Sequence, residues 1–192
     1  MPKFYHGNMQ LEVPEGVYYP REDSLLLAKA LEKLKLKGKS ALEIGCGCGF
    51  LSMLLAKRKA DVTAVDINPE AVEITKLNAH ANKTHVHAFK SDLFSDVSGK
   101  FDLIIFNPPY LPVEEGEKDV TYSGGASGRE TIGKFIGQVK KHLNPGGGVL
   151  ILISSLTGEQ EVTGLFKEQG MKAAAVEREK IPWEELIILG AH

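Results

Sequence analysis

Residues 40–59 read SALEIGCGCGFLSMLLAKRK. A short apolar strand runs into a glycine-rich turn, and an apolar helix starts at Phe50. Working outward from this unit, the pattern repeats. DVTAVDI (61–67) reads as the next strand. Asn68 then has the position of an N-cap and Pro69 that of the first helical residue, with EAVEITKLNAHAN (70–82) continuing the helix. VHAFKSDL (86–93) is a third strand and FDLIIF (101–106) a fourth. TIGKFIGQVKKHL (131–143) is a helix, and NPGGG (144–148) turns into a fifth strand, VLILISS (149–155). A helix around GEQEVTGLFKEQG (158–170) follows, then two strands, KAAAVERE (172–179) and ELIILGA (185–191). Upstream, REDSLLLAKALEKLKLKG (21–38) places Leu27, Leu31 and Leu34 at helical spacing, with Glu22 and Asp23 in the first turn and Gly38 at the end. The residues before it read as irregular.

Alternation of strand and helix predicts an α/β, Rossmann-like doubly wound fold, with a mostly parallel seven-stranded sheet and helices on both faces. Too few residues separate the last two strands for a crossover helix. They are expected to form a C-terminal hairpin, so that one strand runs antiparallel. No repeat or interdomain linker interrupts the 192 residues, and 1–192 reads as a single domain. With 43% hydrophobic and 25% charged residues the chain can bury a sizeable core. Its 20 glycines suit tight turns, since no low-complexity stretch holds them. A net charge of −2 argues against a protein that grips nucleic acid by its phosphates, though a local basic patch stays open. No signal peptide opens the chain and no apolar run is long enough to span a bilayer, so a cytoplasmic location with reduced thiols is expected. Cys46 and Cys48 read as small packing residues of the turn. No further cysteine completes a site, and no metal is expected.

In such folds ligands bind at the carboxyl ends of the strands. A dinucleotide site wants G-x-G-x-x-G; here Gly45, Gly47 and Gly49 are two apart, and Phe50 takes the place of the last glycine. Glu43 lies just before the turn, where a negative charge is awkward beside a pyrophosphate. It suits a ligand with a positive centre, such as the amino group or sulfonium of S-adenosylmethionine. Asp66 ends the second strand, where an acid accepts ribose hydroxyls, and Asp92 ends the third, placed to accept an adenine amino group with Leu93 offering its backbone N–H.

The fourth strand ends in Asn107-Pro108-Pro109-Tyr110. The Asn107 carboxamide oxygen is a neutral acceptor, the Pro108 carbonyl is a second, and Tyr110 supplies a flat face. Together they describe a pocket for a planar NH2 group. Such a nitrogen is a poor nucleophile. Two hydrogen bonds hold it as it turns tetrahedral, with the lone pair aimed at a methyl carbon, and no strong base is needed before attack. An amide of a protein side chain and the amino group of adenine both fit.

These residues together resemble the class I S-adenosylmethionine-dependent methyltransferases, and within them the HemK family of protein glutamine methyltransferases. The likeness runs through YYPREDSLLL (18–27), LEIGCGCGFLS (42–52), VDINPEAVEITKLNA (65–79), SDLF (91–94), FDLIIFNPPYLP (101–112) and GGASGRE (124–130). Bacterial members carry an additional N-terminal helical domain. Its absence here implies the short archaeal and eukaryotic branch, whose substrate is the glutamine of the Gly-Gly-Gln loop of the class I translation release factor. Membership implies S-adenosylmethionine as cofactor and a small zinc-binding activator protein that adds to the sheet edge, giving a heterodimer. It assigns Ser24, Glu43, Gly45, Asp66, Asp92, Leu93 and Asn107 to the cofactor and Asn107, Pro108, Pro109 and Tyr110 to the substrate, with Asn107, Pro108 and Tyr110 the catalytic set. Adenine N6 methylation of DNA or RNA is the alternative. Gly124, Gly125, Arg129 and Glu130 either shape the substrate entrance or, for Arg129 and Glu130, begin a helix.

Overall fold

A computed structural model describes residues 1–109 and 129–192. The predicted elements appear in order: α1 (Glu22–Glu32), β3 (Ser40–Ile44), α2 (Phe50–Lys57), β4 (Asp61–Asp66), α3 (Pro69–Ala81), β5 (His87–Lys90), β6 (Phe101–Phe106), α4 (Glu130–Val139), β7 (Leu143–Ser154), α5 (Glu159–Glu168), β8 (Ala173–Ile181) and β9 (Glu184–Ala191). They are preceded by a hairpin, β1 (Lys3–His6) and β2 (Met9–Glu12). The main sheet has the order β5-β4-β3-β6-β7-β9-β8. Only β9 opposes the rest, pairing antiparallel with both β7 and β8. The order reverses between β3 and β6, which is where an open α/β sheet leaves a crevice for a ligand.

Side chains alternate across the sheet as the period of a strand requires. Leu42, Ile44, Ile104, Phe106, Ile151 and Leu189 face α4 and α5, where Ile132, Phe135, Ile136 and Val139 form the apolar stripe of α4. Ala41, Leu103, Ile105, Leu152 and Ile188 face α1 and α2. Glu43 shares this second face, which aims its carboxyl at α2. Asn68 caps α3 by accepting from the Glu70 N–H at 2.9 Å, with Pro69 at the first helical position.

Three expectations are corrected. The N-terminal residues are not irregular: β1 and β2 pair through the turn at Gly7-Asn8 and bury Phe4, Met9 and Leu11 in the core. Two asparagines on α3 hold this hairpin. Asn78 accepts from Glu12 N at 2.9 Å and donates to Glu12 O at 2.8 Å; Asn82 does the same with Gln10, at 3.2 and 2.8 Å. Four residues of helix rise about 6 Å, and two residues of strand about 6.7 Å, so an i, i+4 pair of amides can imitate a neighbouring strand. The first long helix stops at Glu32 rather than Gly38, its exposed carbonyls taken by Arg58, which donates to Glu32 O and Leu34 O. Asn144 to Gly148 lie within β7 instead of forming a turn before it, because the β6–β7 ladder carries an irregularity that absorbs them.

The glycine turn admits a sharp test. Gly49 has φ +83°, and a Cβ there would stand 2.9 Å from Thr75 Oγ1 and 3.0 Å from its Cγ2. Gly47 has φ +53°, and the nearest atom to its Cβ would be Tyr18 O at 3.9 Å. Gly47→Ala should cost only the left-handed backbone term, about 1–2 kcal/mol, while Gly49→Ala should cost clearly more. Urea denaturation of both variants measures the difference.

Candidate active site

At the carboxyl ends of β3, β4, β5 and β6 lies a cleft of about 840 Å³, inside the range of small-molecule sites. Ser24, Glu43, Gly45, Asp66, Asp92, Leu93, Asn107, Pro108 and Pro109 all line it. Residues from five separate stretches of sequence thus converge on one crevice. Tyr110, Gly124 and Gly125 lie outside the described residues. The segment between β2 and α1 closes one side, tied down where Asn68 Nδ2 donates to Gly16 O at 3.0 Å.

The turn after β3 is held by Asp66. Its Oδ2 accepts from Gly47 N and its Oδ1 from Asn68 N, both at 2.9 Å. Asp66 therefore shapes the glycine turn as well as facing the cleft, and desolvation raises its pKa against the pull of these N–H groups. Both cysteines are buried and free; Thr75 Oγ1 donates to Cys46 Sγ at 3.4 Å and to Gly47 O at 3.1 Å. That is the packing role the spacing suggested. Among the described residues, no group of three His, Cys, Asp or Glu side chains is arranged to hold a metal ion.

Beyond β5, Ser91 folds the chain into a tight turn, accepting from Asp96 N at 3.0 Å and donating to Leu93 O at 3.0 Å. Leu93 takes φ +48°, so its backbone departs from strand geometry at the cleft wall. Arg129 donates to Thr157 O at 2.7 Å and Glu130 opens α4. The pair does begin a helix, as one of the two readings expected.

At the end of β6, Asn107 is tethered by its nitrogen. Nδ2 donates to Asp23 Oδ2 at 3.2 Å and to Ser24 Oγ at 3.4 Å. Its Oδ1 is buried and has no hydrogen-bond partner among the described residues. The sequence reading counted Asp23 only as a first-turn acid of α1. The signal available in the sequence was its place directly before Ser24; its burial is shown only by the fold. Asp23 is 4% exposed and its side chain is enclosed by the wall of the cleft.

A strand-turn-helix unit with an acid before it, acids after the next two strands and an amide at the fourth defines the class: a methyltransferase of the doubly wound type. The chain belongs to the methyltransferase small domain family, whose match spans residues 21–180. It is 45% identical over 189 residues to a Methanocaldococcus jannaschii protein named as a candidate protein N5-glutamine methyltransferase, with 95% of each chain covered. It is 32% identical over 200 residues to the human methyltransferase HEMK2, covering 96% of this chain and 94% of the other. Among solved structures, the E. cuniculi Mtq2–Trm112 complex, responsible for methylation of the termination factor eRF1, superposes with a TM-score of 0.78 at 27% identity, over 92% of this chain and 98% of that one. The HemK resemblance and its short branch are thereby upheld.

Glu43 yields a pH prediction. It is 3% exposed and accepts a hydrogen bond from Ser52 Oγ. Burial pushes its pKa from 4.5 to about 8, with the Ser52 bonds opposing and the Asp66 charge adding. A raised carboxyl favours the proton-bound folded state, so this contribution is complete below 4.5 and is lost as pH rises through about 8. Each pH unit crossed in that window removes at most about 1.4 kcal/mol. Wild type should therefore lose melting temperature relative to Glu43→Gln between pH 5 and pH 9 in ligand-free protein. A gap that stays constant with pH would refute the burial argument.

Proposed function

We propose that this chain is an S-adenosylmethionine-dependent methyltransferase that modifies the side-chain amide of a protein glutamine, the one in the Gly-Gly-Gln loop of a class I translation release factor. The observation that carries the reading is the Oδ1 of Asn107, buried and without a partner among the described residues. A buried acceptor without a partner costs about 1–3 kcal/mol, and an incoming N–H removes that cost. The Pro108 carbonyl is the second acceptor for the same NH2 group, and Tyr110 the ring that stacks on its plane.

The residues facing the cleft suit the cofactor. Glu43 is the group for a positive centre, and a bound cation would draw off the proton that burial holds there. Gly45 and Gly47 bring backbone close to the ligand, Asp66 takes ribose hydroxyls, and Asp92 and Leu93 take the adenine. Ser24 stands near the methionine moiety. When bound, the sulfonium supplies an activated methyl group and a good leaving group. Asn107 and Pro108 then align the amide nitrogen, and the proton leaves after attack.

For the activator, we propose a small zinc-binding protein that adds to the β5 edge, in the cytoplasm. β5 is a four-residue strand that pairs on one side only, with β4, among the described residues. Leu77, on the neighbouring helix α3, is 64% exposed and offers apolar surface for a partner to cover.

Incubating the chain with the cofactor, a release factor and an adenine-containing duplex, with and without activator, then locating the methyl group by mass spectrometry, tests this. A methyl on the Gly-Gly-Gln glutamine is expected, and one only on adenine would overturn the substrate. Asn107→Ala should lower turnover by at least about 10–100-fold while weakening cofactor binding far less than Asp66→Ala does. Near-normal turnover in Asn107→Ala would refute the alignment mechanism.

A further inference from the structure

We propose that Asp23 is a positioning residue for methyl transfer: it locks the Asn107 carboxamide with its oxygen toward the methyl acceptor and polarises that oxygen. The proposal deepens the amide-methylation reading, on which its kinetic test rests.

Four donors converge on the Asp23 carboxylate. Tyr18 Oη reaches Oδ2 at 2.6 Å and Asn107 Nδ2 reaches the same oxygen at 3.2 Å. Ser24 gives Oδ1 its backbone N–H at 2.5 Å and its hydroxyl at 3.1 Å. A carboxylate can accept all four and offers no hydrogen in return. That decides which way Asn107 faces. A carboxamide is nearly symmetric in shape and asymmetric in chemistry. With NH2 toward Asp23, both groups are satisfied. Rotated by half a turn, the amide oxygen would face a carboxylate oxygen, and the NH2 group would occupy the position that must accept. Asp23 thus excludes the orientation in which Asn107 would repel a substrate N–H.

The same contact acts on the chemistry. As a substrate nitrogen attacks a methyl carbon it becomes positive, and its hydrogens become stronger donors. A negative group at the nitrogen end of the Asn107 amide pushes electron density toward Oδ1, making it a better acceptor as that charge develops. The dipole is fixed in advance in a buried site, so little reorganisation opposes it. Asp23 does this without touching the substrate, which distinguishes it from Asn107.

Asp23→Asn preserves volume but places an NH2 group among converging donors. It should lower kcat by about 30-fold or more, with KM for the acceptor and the cofactor Kd changed less than about threefold. In single-turnover measurements on an Asn107→Ala background, the same substitution should change the rate less than about threefold, because no carboxamide is left to orient. A second readout needs no acceptor. In proton–nitrogen spectra the two Asn107 side-chain amide protons, assigned by their loss in Asn107→Ala, should be well separated in wild type and should converge in Asp23→Asn. An equal loss of rate in both backgrounds, or Asn107 amide signals unmoved by Asp23→Asn, overturns the assignment. If wild type methylates no glutamine, the proposed substrate fails and the spectra alone decide the role of Asp23. If Asp23→Asn does not fold, the wild-type amide separation decides it, and its absence overturns the proposal.

Discussion

The parallel pairing of β3 with β6, in the register that sets Ile44 opposite Phe106, is the constraint on which the site depends. It brings the glycine turn at Gly45 and the amide at Asn107 off adjacent strand ends at the same level. A slip of β3 by one residue would turn Glu43 away from α2 and exchange the two faces of that strand. The two buried clusters on either side of the sheet hold the register, since Leu42, Ile44, Ile104 and Phe106 pack on one face and Ala41, Leu103 and Ile105 on the other. The strand order reverses at this same pair, so the crevice and the register have one origin.

Around that pair, polar side chains do the fastening that loops cannot do with ladders of their own. Asp66 takes the N–H groups of Gly47 and Asn68; Asn68 caps α3 and reaches Gly16; Asn78 and Asn82 carry β2. One helix therefore anchors the wall of the cleft and the hairpin behind it. The arrangement satisfies backbone groups that have no partner in a ladder, with Asn78 buried and Asp66, Asn68 and Asn82 half-buried around it.

On the proposed amide-methylating reading, the chemistry follows from a neutral acceptor at Asn107. A carboxylate in place of Asn107 could take a proton, yet an amide nitrogen is too weakly basic and too weakly acidic for proton transfer to lead. Orientation is what remains to be supplied, and orientation is what a strand end stiffened by two prolines can supply. The charge is kept one step back, at Asp23, buried and enclosed by donors. Glu43 plays a different part: it is buried beside Ser52, and burial pushes its carboxyl up to about 8.

Much of this was legible in the residues themselves. Strand-turn-helix alternation, Asn68-Pro69 at a helix start and the short gap between the last two strands settle the fold, because hydrophobic period and capping chemistry are local properties. The eight described site residues read from strand ends, Glu43 to Pro109, do line one cleft, since strand ends in a parallel sheet share one edge; Ser24, on α1, joins them and came from the family resemblance alone. What escaped was non-local. The hairpin of β1 and β2 has four-residue strands, too short for a periodic signal, and it exists because Asn78 and Asn82 lie some 70 residues away to receive it. The direction of Asn107 is likewise invisible in Asn-Pro-Pro-Tyr. A carboxamide has no intrinsic preference between its two ends. Only the folded chain, bringing Asp23 to 3.2 Å from Nδ2, decides that the oxygen is the end left open.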